Sequence, residues 1–511
     1  MKVHLLYRDR DFDLDQKGPP NEATLTQDLE LGTLLEAMAQ KDKLILEVAR
    51  KVVLAGLRED VGTILYRQAV LQDCLRQEAV VRELAHLAVE AAENKRKLWV
   101  SLTNHSAGSM LYSAVTLMEM LLGILGKLRR IADEHAAAFE SEGFKTLFVT
   151  VRAELADEYF ARVRTHLKEL RFRHGVLVGV ELGLGNVGRD YRLLKTCGSE
   201  TSWWRYWWQQ LRLWWSRDYR EFTFRIADRD ESGARILSEL RDRGINTAAN
   251  ALAQSVDHVT SFLTALQTEL SFYLGGVNLH RQLARKGGPV CFPNPTPLDP
   301  KTLRCTDLRD VCLDLRLPHD IVGNDVDAMG KKLLVITGAN QGGKSTFLRS
   351  VGLAQLMMQA GLFVTAESFW ANLCRGVLTH YKRGEDASMT SGKFEEELDR
   401  MSAVMDALVP DSLVLFNESF AATNEREGSE IARQIVRALL ETPVKIVFVT
   451  HSFQFAHGEW EARSPGAAFL RAERRADGER TFKVQPGEPL ATSYGADLYE
   501  KIFAEPAKVP T

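Results

Sequence analysis

Several features are scarce or missing in this 511-residue chain. Its six cysteines (Cys74, Cys197, Cys291, Cys305, Cys312 and Cys374) are scattered without a C-x-x-C pair, which excludes the usual patterns of a zinc site or a disulfide framework. Positive charge is not in excess: 65 Lys and Arg stand against 68 Asp and Glu, a formal net charge of -3. No global field draws such a chain onto nucleic acid, so any DNA contact has to come from a local basic patch or an enclosing shape. An apolar leader is missing as well, because MKVHLLYRDRDFD turns charged within a few residues, and a reducing, cytoplasmic setting is the expectation. The strongest apolar run, Met110 to Gly126, is short for a membrane span and carries Glu119 in its middle; it reads as a buried helix. What remains is ordinary globular composition, 45% hydrophobic and 26% charged, at a length that predicts two or three domains.

The first half reads as helix after helix. Thr24-Leu-Thr-Gln27 has capping-box form ahead of the apolar positions Leu31, Leu34, Leu35 and Met38. Helical patterns follow through Lys41–Leu57 and Tyr66–Ala91. Gly175–Leu194 then alternates and is punctuated by glycine, predicting strands and a turn, with Glu221–Ala227 as a returning strand. Val256, Val259, Leu263, Leu266, Leu270, Tyr273 and Val277 step by three and four, a seam predicted to pack on helices of the same chain. Gly287-Gly288-Pro289 and the Pro293–Pro300 run mark a boundary, after which strands alternate with helices as in an α/β domain. The predicted organisation is a helical domain over 1–289, with a β-containing insertion at 175–227, followed by an α/β domain over 290–511.

The chemistry is concentrated in the second half. Leu333–Ile336 is a β-branched, apolar strand that feeds Gly338-Ala339-Asn340-Gln341-Gly342-Gly343-Lys344-Ser345, a match to G-x-x-x-x-G-K-[ST], and a helical pattern runs from Thr346. Strand, loop and helix are the context the phosphate-binding motif needs: glycines let backbone N–H groups converge on phosphates, and the helix N-terminus adds its positive end. Lys344 is predicted to reach the β- and γ-phosphates and Ser345 to ligate Mg²⁺. A second strand, Ser412–Phe416, delivers Asn417-Glu418. Asn417 stands where an aspartate usually orients hydrated Mg²⁺, so it offers an oxygen without charge, and Glu418 is the candidate to polarise the attacking water. A third strand, Lys445–Val449, ends in Thr450-His451, which puts an imidazole at the carboxyl edge of the sheet, either as a γ-phosphate sensor or as a hydrogen-bonded edge residue.

TGANQGGKSTFLRSVGLAQLMMQAG, SLVLFNESFAATNEREG and FVTHSFQFAH together resemble the ATPase domain of the MutS family of DNA mismatch-repair proteins. The resemblance implies ATP and Mg²⁺ as ligands and an ABC-like homodimer with two composite sites. Val322-Gly-Asn-Asp325 resembles the family's adenine-side segment, with Val322 at the base. Asp386–Phe394 resembles the loop that reaches the partner's nucleotide, so Ser388, Ser391 and Gly392 would act across the interface, with Thr423 and Asn424 beside it. The first half resembles the family's core and lever domains more loosely, with 175–227 in the place of the clamp that closes on double-stranded DNA. The fold class implied is multidomain, a helical core and lever with a clamp-like insertion followed by an ABC-like P-loop ATPase domain.

Three departures accompany the resemblance. The helical core is expected to start almost directly, without a mismatch-reading domain or the Phe-x-Glu wedge of one, and the roughly fifty residues after His457 are expected to be too few for a nuclease-like domain. Six of the nine tryptophans crowd into Trp203–Trp215, interleaved with Arg205 and Arg212 and followed by Arg217 and Arg220. That run suits stacking on bases, a protein contact, a membrane interface or an aromatic plug. The expectation is a DNA-binding ATPase of mismatch repair or related DNA-structure recognition. The alternative is an ATP-driven switch that assembles with protein or membrane partners and does not bind DNA.

Overall fold

A computed structural model describes residues 1–100, 106–172, 175–186, 188–194, 226, 230–383, 392–475 and 478–491. The Trp203–Trp215 run, Ser388, Ser391 and all of Glu221–Ala227 except Ile226 lie outside the described residues. The chain packs as two compact units. One comprises Met1, Leu84–Glu134 and Phe148–Leu266; the other comprises Lys2–Glu83, His135–Leu147 and Gln267–Thr511.

The first unit is helical. Most of the helix Ala107–His135 belongs to it and buries Leu111, Leu117, Met118, Leu121, Leu125 and Leu128 along one face. With the turn that follows it, this is the one described helix long and apolar enough to cross a membrane, and half of its apolar window is buried within the protein. Glu119 is paired with Arg171 at 2.5 Å. Strands β1 (Val178–Leu182) and β2 (Gly188–Leu193) form the antiparallel hairpin expected from the glycine-punctuated alternation. The hairpin lies against the long helix Glu231–Ala284 so closely that a Cβ on Gly244 would meet the Val178 side chain at 2.5 Å.

The second unit holds two sheets. Strands β3 (Asn294–Thr296), β4 (Leu303–Leu308), β5 (Asn324–Asp327) and β7 (Ser368–Asn372) form a four-stranded sheet in the order β3-β7-β4-β5. The larger sheet runs β12-β11-β6-β10-β9-β8, built from β6 (Leu333–Gly338), β8 (Gly376–Tyr381), β9 (Ser412–Asn417), β10 (Lys445–Val449), β11 (Ala467–Arg474) and β12 (Arg480–Pro486). All neighbours in it are parallel except the β11–β12 pair. β6, β9 and β10 read as continuous apolar runs because both faces of a parallel sheet are covered; every residue of β10 is buried.

Lys2–Glu83 belongs to this second unit, so the compact units do not follow the expected boundary between 289 and 290. Backbone approach is the cause. Gly56 sits where a Cβ would lie 2.8 Å from the Gln359 carbonyl, at the end of the helix Lys344–Ala360. A buried clip adds to it: the Glu269 carboxylate accepts from the amides of Leu5 (2.6 Å), Leu6 (2.9 Å) and Phe12 (2.7 Å), and Tyr273 donates to the Leu5 carbonyl at 2.6 Å.

Two local expectations are corrected. Thr24–Gln27 lies inside the helix Glu22–Asp28 and caps nothing; the helix Leu31–Ala39 starts instead from Glu30 in the left-handed region, φ 53°. The pattern over Tyr66–Ala91 is two helices, Val61–Arg76 and Glu78–Val100, broken at Gln77, φ -115° and ψ 39°. The seam from Val256 to Val277 is buried within the chain at all seven positions, as same-chain packing requires.

Candidate functional site

Strand β6 lies between β11 and β10 and carries the phosphate loop at its carboxyl end. Gly338 leaves the strand at φ 114°, with a would-be Cβ only 2.8 Å from the Ala472 amide, so both its conformation and its space demand glycine. Gly343, φ 86°, precedes the helix Lys344–Ala360 and supplies no side-chain cap. The first amides of that helix therefore have no intrahelical or capping acceptor, and they project with the helix dipole from its N-terminus. A cleft of about 500 Å³ opens there, walled by Asn340–Phe347, by Glu418 and His451, and by Leu308, Asp310, Leu313, Ile321, Val322, Asn324 and Phe482.

Lys344 is 5% exposed. Its Nζ donates to the carbonyls of Gly338 (3.1 Å) and Ala339 (2.8 Å). Burial pulls its ammonium down to about 8; the attraction of Glu418 opposes that shift and the repulsion of Arg480 adds to it. Gly338 and Ala339 thus lie beneath the loop as the lysine's acceptors, while Asn340, Gln341, Gly342, Gly343, Lys344, Ser345 and Thr346 form the cleft wall.

Strand β9 brings the second group. Ser345 Oγ donates to Asn417 Oδ1 at 2.8 Å. Glu418 follows with φ 54°, a left-handed conformation uncommon for a side-chain-bearing residue, pinned by its amide bond to the Val449 carbonyl at 2.9 Å. Its carboxylate meets His451 Nε2 at 3.1 Å and Lys382 Nζ at 3.8 Å. The His451 hydrogen bond holds the Glu418 carboxyl below the usual range against the effect of burial, with the charges of His451, Lys382 and Lys344 assisting. His451 faces the cleft while hydrogen-bonded to Glu418.

The donor set can be tested for Mg²⁺. Among the described residues no three His, Cys, Asp or Glu side chains converge on a metal position. Ser345 and Asn417 present two neutral oxygens at the phosphate loop, which fits an ion that keeps several waters and shares its coordination with substrate phosphates. The residues fit ATP with Mg²⁺ on that basis.

The remaining predicted residues are spread over other elements. Gly392 precedes the helix Lys393–Asp406. Asn424 caps the helix Glu425–Leu440 by accepting from the Glu427 amide at 3.0 Å, and Thr423 donates to the Glu427 carboxylate at 2.9 Å. None of the three lines the cleft.

Three contributors escaped the sequence reading, and a fourth, Asn324, stood inside the Val322–Asp325 segment without a role of its own. Arg480 Nε donates to the Asn340 carbonyl at 2.7 Å and so holds the loop from strand β12. Phe482 lies over Gly343, whose would-be Cβ is 3.4 Å from the phenylalanine Cβ. Asn324 ties the cleft wall to β12, accepting from the Val484 amide at 2.7 Å and donating to the Phe482 carbonyl at 3.3 Å. Asp310 accepts from Arg349 Nε at 2.5 Å, joining the cleft wall to the phosphate-loop helix. The alternation Arg480-Thr-Phe-Lys-Val484 signals a strand, but nothing local says that it crosses the phosphate loop.

Comparison with known proteins gives two family matches, to the MutS2 N-terminal domain over residues 59–286 and to MutS domain V over residues 334–509. The DNA mismatch repair protein MutS of Chloroflexus aurantiacus is 30% identical over 272 residues, 52% of this chain and 28% of the relative. Endonuclease MutS2 of Lacticaseibacillus casei is 30% identical over 218 residues, 40% of this chain and 27% of the relative. The DNA mismatch repair protein MutS of Thermus aquaticus is 32% identical over 185 residues, 35% of this chain and 22% of the relative. The chain therefore spans about a quarter of the length of these relatives.

Proposed function

This chain belongs to the MutS family, and from that premise we propose that it is an ATP-dependent DNA-binding protein of mismatch repair or related DNA-structure processing. It hydrolyses ATP with Mg²⁺ as a homodimer. The observation that carries the ATPase reading is the convergence of Lys344, the Ser345–Asn417 pair and the Glu418–His451 pair on one cleft.

Lys344 and the free amides of the phosphate loop neutralise charge that develops on the transferred phosphoryl group. Ser345 and Asn417 would hold Mg²⁺, which would supply positive charge against the phosphates. Glu418, kept ionised and oriented by His451, accepts a hydrogen bond from the attacking water and aligns it. Val322 lies at the base side, and Ile321, Leu313 and Phe482 supply apolar surface around it. Ser388, Ser391 and Gly392 complete the partner's site across the dimer interface, with Thr423 and Asn424 beside it.

The family matches at 59–286 and 334–509 favour 1–289 and 290–511 as the two evolutionary modules, although the compact units cut across them. In this reading the long helix Glu231–Ala284 is the lever and 175–227 the clamp on double-stranded DNA. The relatives' names, mismatch repair protein and endonuclease, both speak for action on DNA and give no support to a membrane partner.

The test is binding to perfect, mismatched and branched DNA, with and without ATP, across a salt series. A salt-sensitive affinity that ATP shifts is the expected result, and the ranking of the three DNAs gives the substrate. Absence of binding at low salt would overturn the DNA reading in favour of a switch that assembles with protein partners, which the net charge of -3 and the Trp203–Trp215 run favour.

A further inference from the structure

The phosphate-loop unit contains a second large cavity, about 450 Å³, that shares no lining residue with the nucleotide cleft. It is bounded by the helix Glu22–Asp28, by the end of strand β8 and the residues just after it, and by the helix Lys393–Asp406. Four polar residues that line it each keep one buried atom without a hydrogen-bond partner among the described residues: Asp28 Oδ2, Thr379 Oγ1, Arg383 Nε and Arg400 Nε. Buried polar groups are nearly always satisfied, so four left over at one cavity point to something that bonds them.

The geometry says what that is. Thr379 is 2% exposed, on the strand that floors the cavity. Arg383 approaches Asp28 only to 3.7 Å, too far for a hydrogen bond, and Arg400 spends one nitrogen on the Tyr381 carbonyl at 2.7 Å. The two guanidinium groups are close enough to repel: burial and then Arg383 hold Arg400 below its usual range, while Glu397, Glu396 and Asp28 draw it back. The Asp28 side chain is 6% exposed and Asp406 is an exposed residue of the lining, while Glu397 and Glu396 act on Arg400 from outside the lining. Burial pushes the Asp28 carboxyl above its usual range, while the neighbouring Thr379 hydroxyl and the charges of Arg383 and Arg400 draw it back down.

We propose that this cavity is a second anion site that takes monohydrogen phosphate, or a small molecule bearing a protonatable phosphate, between Arg383, Arg400 and Thr379. The guanidinium groups and the hydroxyl donate to the phosphate oxygens. Asp28 Oδ2, an acceptor with no donor, takes the phosphate's remaining O–H. That last contact selects phosphate over sulfate, which at neutral pH has no proton to give and would instead face the carboxylate with like charge. The site is one strand removed from the hydrolytic corner: Tyr381 on β8 is in register with Asn417 on β9, and His380 bonds Ser419 Oγ at 2.7 Å.

The experiment uses the full chain carrying Lys344→Ala, which removes the principal cation of the phosphate loop. Inorganic phosphate and, separately, sulfate are titrated at fixed ionic strength and neutral pH, read by calorimetric heat and by the melting midpoint. Saturable phosphate binding is expected, with sulfate weaker by about tenfold or more, and with that gap closing when Asp28→Asn is added. Adding Arg383→Gln, or the near-isosteric Thr379→Val, is expected to weaken phosphate by about tenfold while the melting profile stays cooperative. Arg400→Gln adds a third variant, but the first two keep the test intact should it fail to fold. No saturable phosphate binding in the Lys344→Ala chain would overturn the proposal. So would equal affinity in the Arg383→Gln and Thr379→Val chains, or equal binding of phosphate and sulfate.

Discussion

Lys344 carries its charge at a cost. Its folded-state value of about 8, against an ordinary 10.5, means that burial outweighs the help from Glu418. Below about 8 the folded chain holds a proton that its surroundings disfavour; between about 8 and 10.5 the folded chain gives that proton up before the unfolded chain does, so stability rises with pH through that window. Lys344→Met, which keeps the aliphatic length, is therefore expected to raise the melting midpoint without nucleotide by a few degrees while ATP binding is lost, checked by calorimetry and an ATP titration. In the unaltered protein, ATP affinity is expected to fall as pH rises past about 8, because the cation that meets the phosphates is being lost. Asn417 gives a second expectation at this scale. Its Oδ1 already accepts from Ser345 at 2.8 Å, so Asn417→Asp adds a charge in place without moving an atom. Turnover is expected to rise, or half-saturation to occur at lower Mg²⁺, by about tenfold; unchanged values in both would show that the position does not limit hydrolysis.

At the scale of elements, the amino-terminal segment is clipped to the long helix by Glu269 and Tyr273. Glu269, on the long helix, accepts three backbone N–H groups from Leu5, Leu6 and Phe12, so the segment borrows its acceptors from a residue more than 250 positions away. Burial pushes the Glu269 carboxyl up to about 7 although those three bonds pull the other way. Between about 4.5 and 7 the folded chain retains a proton that the unfolded chain has lost, so this residue's contribution to stability falls as pH rises through that range. Glu269→Gln turns one of the two accepting oxygens into a donor that must face a backbone N–H. It is expected to cost about 2 kcal/mol, to flatten that pH dependence and to speed amide exchange at Leu5, Leu6 and Phe12. Unaltered exchange at the three amides would show that the clip does not hold the segment.

Across the whole molecule, the proposed function requires two copies. Gly392, Thr423 and Asn424 do not line the cleft of their own chain. A Glu418→Gln chain keeps Lys344 and Ser345 and loses the group that aligns water, so it should hold ATP longer. It is expected to sediment as a dimer in ATP and Mg²⁺ and to return to the smaller species in ADP; a species that does not respond to the nucleotide would count against composite sites.

The candidate site was legible in the sequence where its chemistry is local. The phosphate loop, the Asn417-Glu418 corner and His451 each sit at the end of a short apolar strand, and strand-then-turn order is written in consecutive residues. The same locality made the β1–β2 hairpin readable from its glycines and alternation. Where two local signals compete, reading failed: Thr24–Gln27 has the form of a cap and lies inside a helix, because the turn it should begin is already closed by residues before it. Other features are decided by contacts between distant segments, and no window of sequence contains them. Arg480 reaches Asn340 only because β12 folds back along β11 at the sheet's edge. Lys2–Glu83 joins the phosphate-loop unit through a close backbone approach at Gly56 and the Glu269 clip. Asp28, Thr379, Arg383 and Arg400 form a cavity only once a helix from the first thirty residues is laid against an edge strand near residue 380. The sequence by itself determined the chemistry at the ends of the strands, because those residues are joined by the chain; the tertiary structure alone decided what lies across from them, because burial and hydrogen bonding pair groups by distance in space.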